Sequence, residues 1–323
     1  RCFLDKNVAV GTTLVNMYAK WGMLEKAQQV LKELPVQEIV SLNALISGYV
    51  QHRKYHEALT SFESVQSRGF TPDPITFFCI LKACANEGAI EKGKQIHDEI
   101  ASRGLLENDL MLGHALVNMY AKCGALAKAR KVLQELTMRD VVDWNALITG
   151  YILHGQSNEA LNCFEQMQSE GFSPNIVTFI CILKACGIRR AIQKGKQIHD
   201  EILRRGWLEQ DIMLGNVLVD MYAKCHAIAK AQKVLLELPM RNIVSWNTLI
   251  AGYCHLGQCH EALECFEQML SEGLSPDFIT FLCILKACGS IGALEKGKQI
   301  HQEIVRTNLV EKDNAICNAL VDM

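Results

Sequence analysis

The sequence predicts an all-α fold, a solenoid of stacked helix hairpins, and three observations carry that prediction. The segment GKQIHDEI at Gly93–Ile100 recurs at Gly195–Ile202 and, as GKQIHQEI, at Gly297–Ile304, so the chain repeats with an offset of 102 residues. Within each period, apolar residues recur at helical spacing. All six prolines (Pro35, Pro72, Pro74, Pro174, Pro239 and Pro276) lie at the ends of these apolar segments, where they stop helices and break none.

A period of 102 is too long for one solenoid unit. The same offset links Met17–Lys20 to Met119–Lys122 and Met221–Lys224, and Asn43 to Asn145 and Asn247. Cutting at the proline seams gives units of 35, 36 and 31 residues. In chain order these are a partial unit 1–7, a short unit 8–38, a standard unit 39–73 and a long unit 74–109. Then come 110–140 (short), 141–175 (standard), 176–211 (long), 212–242 (short), 243–277 (standard), 278–313 (long) and a partial short unit 314–323. In 141–175, Val142, Leu147, Ile148 and Tyr151 form one helical stripe, and Ala160, Leu161, Phe164 and Met167 form a second. Ser157 is placed to cap the second helix and Gly171 to end it. One hairpin cannot bury its own apolar face, so each must stack on its neighbours. Because both ends fall inside a unit, the chain reads as a fragment of a longer array whose capping repeats lie outside it.

Composition bounds the function. With 33 Lys+Arg against 35 Asp+Glu, the formal charge of −2 excludes a strongly basic polyanion binder at the level of net charge, while local basic stripes remain open. At 49% hydrophobic residues the chain is expected to fold throughout. No apolar run reaches the ~18 residues of a membrane span, since even Phe77–Cys84 is interrupted by Lys82, so a soluble protein is expected. Arg1–Asn7 lacks the composition of a targeting peptide, which places any such segment upstream. The 14 cysteines are spread through helical patterns, which suggests a reducing compartment. Pairs such as Cys79 and Cys84, Cys181 and Cys186, or Cys283 and Cys288 are five residues apart on a helix, roughly 8–9 Å, too far for a disulfide. They read as small buried hydrophobes.

Three sets of segments carry a family resemblance: IVSLNALISGY (39–49), VVDWNALITGY (141–151) and IVSWNTLIAGY (243–253); TFFCILKAC (76–84) with its equivalents at 178–186 and 280–288; and LGHALVNMYAKCG (112–124) with LGNVLVDMYAKC (214–225). On these residues the whole chain resembles the pentatricopeptide repeat family, specifically the plant class that alternates standard, long and short motifs. The resemblance implies a right-handed superhelix and single-stranded RNA recognition at about one base per repeat, read by the fifth residue of each hairpin together with its last. Those pairs are Asn43 with Asp73, Asn145 with Asn175, Asn247 with Asp277 and, in a short unit, Asn216 with Asn242. Thr12 with Glu38 and His114 with Asp140 occupy the same places and match no assignable base. The second residues Val40, Ile75, Val142, Val177, Val244 and Ile279 would sandwich the bases, and Lys20, Lys122 and Lys224 match a phosphate-contacting lysine. The class further implies a role as the recognition array of an organellar C-to-U editing factor, in a mitochondrion or chloroplast, with any deaminase after Met323 or supplied by a partner.

The chemistry of the pairs is consistent with base reading. An Asp carboxylate only accepts hydrogen bonds, and uracil offers an N3–H that cytosine lacks, so Asp73 and Asp277 should read uracil. Asn175 and Asn242 can donate to cytosine N3 or accept from uracil N3–H, which gives pyrimidine tolerance. With the N-terminal repeat at the 5′ end, the nine complete units read 5′-?-U-?-?-Y-?-Y-U-?-3′. The same Asp and Asn residues could equally be N-caps of the next helix, which need not exclude base contact.

The long units place Phe78, Ile180 and Leu282 at the fifth position, where no base hydrogen bond is available, so they are expected to be spacers or a docking surface for a small organellar editing cofactor. His97-Asp98-Glu99, His199-Asp200-Glu201 and His301-Gln302-Glu303 match half of a zinc deaminase signature, but C-x-x-C is absent, and the reading is a polar helix face. Cys254, Cys259 and Cys265 spell out no tetrahedral site, so neither metal nor cofactor is expected. Trp144 and Trp246 read as packing between hairpins. No nucleophile–base pair or phosphate loop appears, so these residues should form no enzyme. The alternative from another class is a structural or protein-binding helical scaffold, including a ribosome-associated subunit.

Overall fold

The computed structural model describes residues 8–34, 36, 38–107, 109–306 and 314–322. The partial unit 1–7, Pro35, the tail 307–313 of the last long unit and Met323 lie outside the described residues. Among the described residues every regular element is helical. The chain divides into two compact units, Arg1–Ser173 and Pro174–Met323.

The first unit contains α1 (Val8–Lys20), α2 (Leu24–Glu33), α3 (Ile39–Gln51), α4 (Tyr55–Ser67), α5 (Pro74–Glu87), α6 (Ile90–Ser102), α7 (Leu110–Lys122), α8 (Leu126–Glu135), α9 (Val141–Leu153) and α10 (Ser157–Ser169). The second contains α11 (Ile176–Arg189), α12 (Ile192–Arg204), α13 (Ile212–Lys224), α14 (Ile228–Glu237), α15 (Ile243–His255), α16 (Cys259–Ser271), α17 (Phe278–Ile291), α18 (Leu294–Arg306) and α19 (Asn314–Asp322). Consecutive helices form antiparallel hairpins, and the first helix of each hairpin packs on the first helix of the next: α1 on α3, α3 on α5, α5 on α7, α7 on α9 in the first unit; α11 on α13, α13 on α15, α15 on α17 in the second. That nearest-neighbour stacking is the solenoid the sequence predicts. No helix among the described residues is long and apolar enough to cross a membrane.

One device closes every hairpin. The N–H of the residue that precedes each second helix donates to the carbonyl five positions back, near the end of the first, as in Lys54 to Tyr49, Ala125 to Tyr120, Gln156 to Tyr151, Ala227 to Tyr222 and Ala293 to Cys288, at 2.7–2.9 Å. This is a Schellman closure, and it requires a left-handed residue just before the donor. Gly124 and Gly155 supply it at φ 79° and 73°, whereas Arg53, Arg190 and His226 adopt φ 60°, 53° and 57° without being glycine. Because the backbone sets the turn, the second helices start without a side-chain cap: Gln156 is the N-cap of α10 and makes no such bond. Ser157 therefore does not cap α10, contrary to the expectation; it is the first residue of the helix, buried, with its hydroxyl unpartnered. Gly171 follows α10 at φ 84°, as a helix terminator should.

First helices are capped differently. Asp73, Asp109 and Asp140 in the first unit, and Asn175, Asp211, Asn242 and Asp277 in the second, each N-cap the following helix through a side-chain oxygen. Pro74 is the first residue of α5, where its missing N–H costs nothing. The first helices approach closely: a Cβ built on Gly48 would lie 2.7 Å from that of Ala19, and one on Gly150 would lie 2.7 Å from that of Ala121. Trp144 and Trp246 are buried, Trp144 against Phe172 and Trp246 donating its indole N–H to Glu272, each within its own hairpin unit.

Candidate functional site

The unit-end residues bring together side chains that the sequence holds about thirty positions apart. Asp73 caps α5 by accepting from the Thr76 N–H at 2.8 Å through Oδ1, which leaves Oδ2 to accept from Asn43 Nδ2, also at 2.8 Å. The Thr76 hydroxyl donates to Asn43 Oδ1. The partners recur in the second unit, but on one oxygen: Asp277 Oδ1 accepts from both Thr280 N–H and Asn247 Nδ2, each at 2.9 Å, while the Thr280 hydroxyl donates to Asn247 Oδ1. A short-unit version joins Asn216 Nδ2 to Asn242 Oδ1 at 3.4 Å, with the Ser245 hydroxyl donating to Asn216 Oδ1.

The charge of this site is held in place. Burial works against ionisation of Asp277, but the hydrogen bonds from Thr280 and Asn247 outweigh it and keep the carboxyl below its usual range. Asp277 is thus an acceptor-only group at neutral pH.

Flanking the pairs are branched apolar residues that a folded core would ordinarily cover. Val40, Ile75 and Val142 in the first unit, and Val177, Val244 and Ile279 in the second, are each more than half exposed. In the second unit Val244, Asn247, Asp277, Ile279 and Lys224 border one open cavity of about 740 Å³. That falls within the roughly 300–1,000 Å³ of small-ligand clefts. Asn145 is buried on α9, and Asn175 is exposed at the start of α11, where it accepts from the Thr178 N–H at 3.0 Å.

The remaining predicted residues are placed as follows. Thr12 is half-buried with its hydroxyl unpartnered, and Glu38 is exposed and caps α3 without a side-chain bond. Lys20, Lys122 and Lys224 are exposed at the ends of α1, α7 and α13; Lys122 donates to Asn86 Oδ1 at 3.2 Å, and Lys224 pairs with Asp220 at 2.7 Å. Phe78, Ile180 and Leu282 are half-buried. The H-x-E segments are not a uniformly polar face. His199 is buried and its Nδ1 meets the Tyr222 hydroxyl at 3.0 Å, and His97 meets Tyr120 at 2.9 Å. Glu99 and Glu201 instead pair with Arg103 and Arg205 on their own helices. The inward turn of the histidines is possible because a tyrosine hydroxyl from the next hairpin satisfies the ring.

The pair of His114 with Asp140, which the sequence reading placed together without an assignable base, gains a third member that it missed, Asp143. His114 Nε2 lies 3.3 Å from Asp140 Oδ1 and 3.3 Å from Oδ2 of Asp143. Asp143 has no exposed side-chain surface, and burial pushes its carboxyl up to about 6 against the opposing pull of the Asp140 N–H and His114. At offsets of 102 its counterparts are Ser41 and Ser245, so the signal available in the sequence was an acid where the other units carry a hydroxyl.

Comparison with known proteins agrees with this architecture. A model of the PPR repeat family matches residues 37–86, 139–187 and 241–290, and a second PPR repeat model matches 12–38 and 114–141. A pentatricopeptide repeat-containing protein of Arabidopsis thaliana is 36% identical over 317 residues, covering 98% of this chain and 45% of its own length. Two others from the same plant are named mitochondrial (36% identical, 99% of this chain, 31% of its own length) and chloroplastic (33% identical, 99% and 52%). The chain thus spans about half or less of these relatives. Among solved structures, the pentatricopeptide repeat protein PPR10 in complex with an 18-nt psaJ RNA element superposes with a TM-score of 0.74 at 20% identity, over 96% of this chain and 45% of that one. The crystal structure of PPR10 from maize superposes at a TM-score of 0.60 with 21% identity, over 96% of this chain and 51% of that one.

Proposed function

The chain belongs to the pentatricopeptide repeat family, and from that premise we propose that it binds single-stranded RNA, one base per repeat, in the register of units 8–38 through 278–313. The observation that carries this reading is the recurrent group of an amide, an acidic or amide cap and exposed branched residues on either side: Val40, Asn43, Asp73 and Ile75, then Val244, Asn247, Asp277 and Ile279. The apolar pair offers faces for a base to slide between, and the polar pair offers hydrogen bonds to its pairing edge. Asp73 and Asp277 select uracil, and Asn175 and Asn242 accept either pyrimidine, which gives the footprint 5′-?-U-?-?-Y-?-Y-U-?-3′.

The array serves an organellar C-to-U editing factor as its recognition segment. The alternation of 35-, 36- and 31-residue units supports this reading, as do the mitochondrial and chloroplastic names of relatives. The segment contributes no catalysis, and a deaminase acts from elsewhere in the complete protein or from a partner. Lys122 and Lys224 are engaged within the protein, so few phosphate contacts are available. Intrinsic affinity is accordingly modest, and a small editing cofactor docking on Phe78, Ile180 and Leu282 strengthens it.

The test is fluorescence anisotropy with single strands that match the footprint, against the same strands with adenine at the four assigned positions and against polyadenine. Tighter binding of the matched strand, with a shallow salt slope, is the expected result. Equal binding of all three would favour a scaffold that holds protein surfaces.

A further inference from the structure

We propose that His114, Asp140 and Asp143 form a binding site for a divalent transition-metal ion, of the zinc or manganese class, on the first helices α7 and α9. The three residues each present one ligand atom, and these atoms lie within 4.8 Å of one another. The two nitrogen–oxygen separations, 3.3 Å each, equal the edge of a tetrahedron whose centre sits about 2.0–2.1 Å from its corners, the usual zinc–nitrogen and zinc–oxygen bond length.

The hydrogen bonding points the same way. His114 Nε2 is buried and makes no hydrogen bond, although a carboxylate oxygen of each aspartate stands 3.3 Å from it. Asp143 is wholly buried and its Oδ1 has no partner at all. Its Oδ2 accepts from the Asp140 N–H at 3.0 Å, a bond that would orient a metal ligand. Asp140, partly exposed, leaves one side of the site open to water or a further ligand.

The other units show what the group replaces. One period on, the three positions are Asn216 and Asn242 of the short unit and Ser245 of the standard unit that follows, neutral residues that hydrogen-bond one another. In the middle unit two carboxylates and an imidazole stand there instead, and a buried carboxylate without a full complement of partners is costly unless a cation compensates it. Imidazole with two carboxylates suits zinc, manganese or cobalt better than copper(I) or calcium. His114 and Asp140 also hold the fifth and last places of unit 110–140, where the other units are proposed to read a base, but a metal titration needs no RNA.

The experiment is a cobalt(II) titration of the 323-residue chain, followed by visible d–d absorption, with zinc and manganese as competitors. One equivalent should bind without the near-ultraviolet thiolate band that any of the cysteines would produce. His114→Asn and Asp143→Ser install the residues found one period on, so the fold has a precedent for both. Each should weaken binding at least tenfold and abolish the rise in melting temperature that zinc gives the parent chain. Asp143→Asn, nearly isosteric, serves if the serine variant does not fold. No saturable binding, a thiolate band, or affinity unchanged by these variants would overturn the proposal.

Discussion

Asn43 donates to Asp73 across 2.8 Å from thirty residues away, and the same carboxylate holds the first turn of α5. Asn247 and Asp277 repeat the contact at 2.9 Å with α17. The residue proposed to read a base is therefore also the residue that starts the next helix. A carboxylate has about four acceptor positions, so capping and the proposed base contact need not compete.

The sharpest consequence concerns Asn175, which caps α11 through Oδ1 and should tolerate either pyrimidine. Asn175→Asp leaves an acceptor-only group, which uracil N3–H satisfies and cytosine N3 repels. Binding to a strand with cytosine opposite this unit should weaken by about ten- to a hundredfold, or 1–3 kcal/mol, relative to uracil. Asp73 and Asp277 already cap helices of this kind, so stability should hold. Anisotropy on two strands differing only at that nucleotide decides it: an unchanged preference in a folded variant would falsify the register.

Capping and reading can be separated at Asp277. Asp277→Asn keeps an oxygen for the Thr280 N–H and should leave the denaturation midpoint nearly unchanged. Asp277→Ala removes it and should cost about 0.5–2 kcal/mol. Urea titrations of both variants, in parallel with uracil binding, test this; equal losses would mean that the cap does not depend on the side-chain oxygen.

Acidification should destabilise the chain through two histidines. Burial chiefly, with Lys128 near His97 and Lys230 near His199, lowers both pKa values below the ordinary 6.5, while carboxylates at Asp98, Glu135, Asp200 and Glu237 oppose the shift. The unfolded chain then takes up protons that the folded one refuses, so the stability these residues confer is complete above about 6.5 and falls as pH drops through and below that value. In His97→Gln/His199→Gln the loss of melting temperature on acidification below neutral should be smaller than in the parent. A steeper loss would reverse the sign assigned here.

Hairpin closure predicts a stabilising change. His226 adopts φ 57° where Gly22 and Gly124 stand at offsets of 204 and 102. His226→Gly should raise stability by up to about 1 kcal/mol, because glycine reaches the left-handed region without a Cβ penalty. A fall in melting temperature would show that the imidazole makes a contact worth more than the strain.

The opposite sign is expected at Gly150. A Cβ there would meet the Ala121 carbonyl oxygen at 3.0 Å and its Cβ at 2.7 Å, so Gly150→Ala must push α9 away from α7. A loss of about 1–3 kcal/mol is expected from denaturant midpoints. No loss would mean that the two helices slide apart freely.

How much of this was legible in the sequence follows from the range of the interactions. The helices were legible because the repeat averages out local ambiguity: Pro74 opens α5, and Trp144 and Trp246 sit at core positions of α9 and α15. The start of α10 was misread at Ser157, because the turn is built from backbone bonds such as Gln156 to Tyr151 and leaves no side-chain signature. His199 looked like surface because its partner, Tyr222, lies 23 residues on. The unit register paired His114 with Asp140, but Asp143 was missed for the same reason, since it reaches His114 only when α9 stacks on α7.

If the cap residues at 73, 175, 242 and 277 read bases as proposed, their two roles would bias how such an array changes its target over evolutionary time. Helix initiation there favours a short side chain with an accepting oxygen, so exchanges among Asp, Asn, Ser and Thr cost folding little, while other replacements carry about 0.5–2 kcal/mol. On that proposal, retargeting would run most easily by small steps within the set, each nearly silent for folding and each changing one letter of what is recognised.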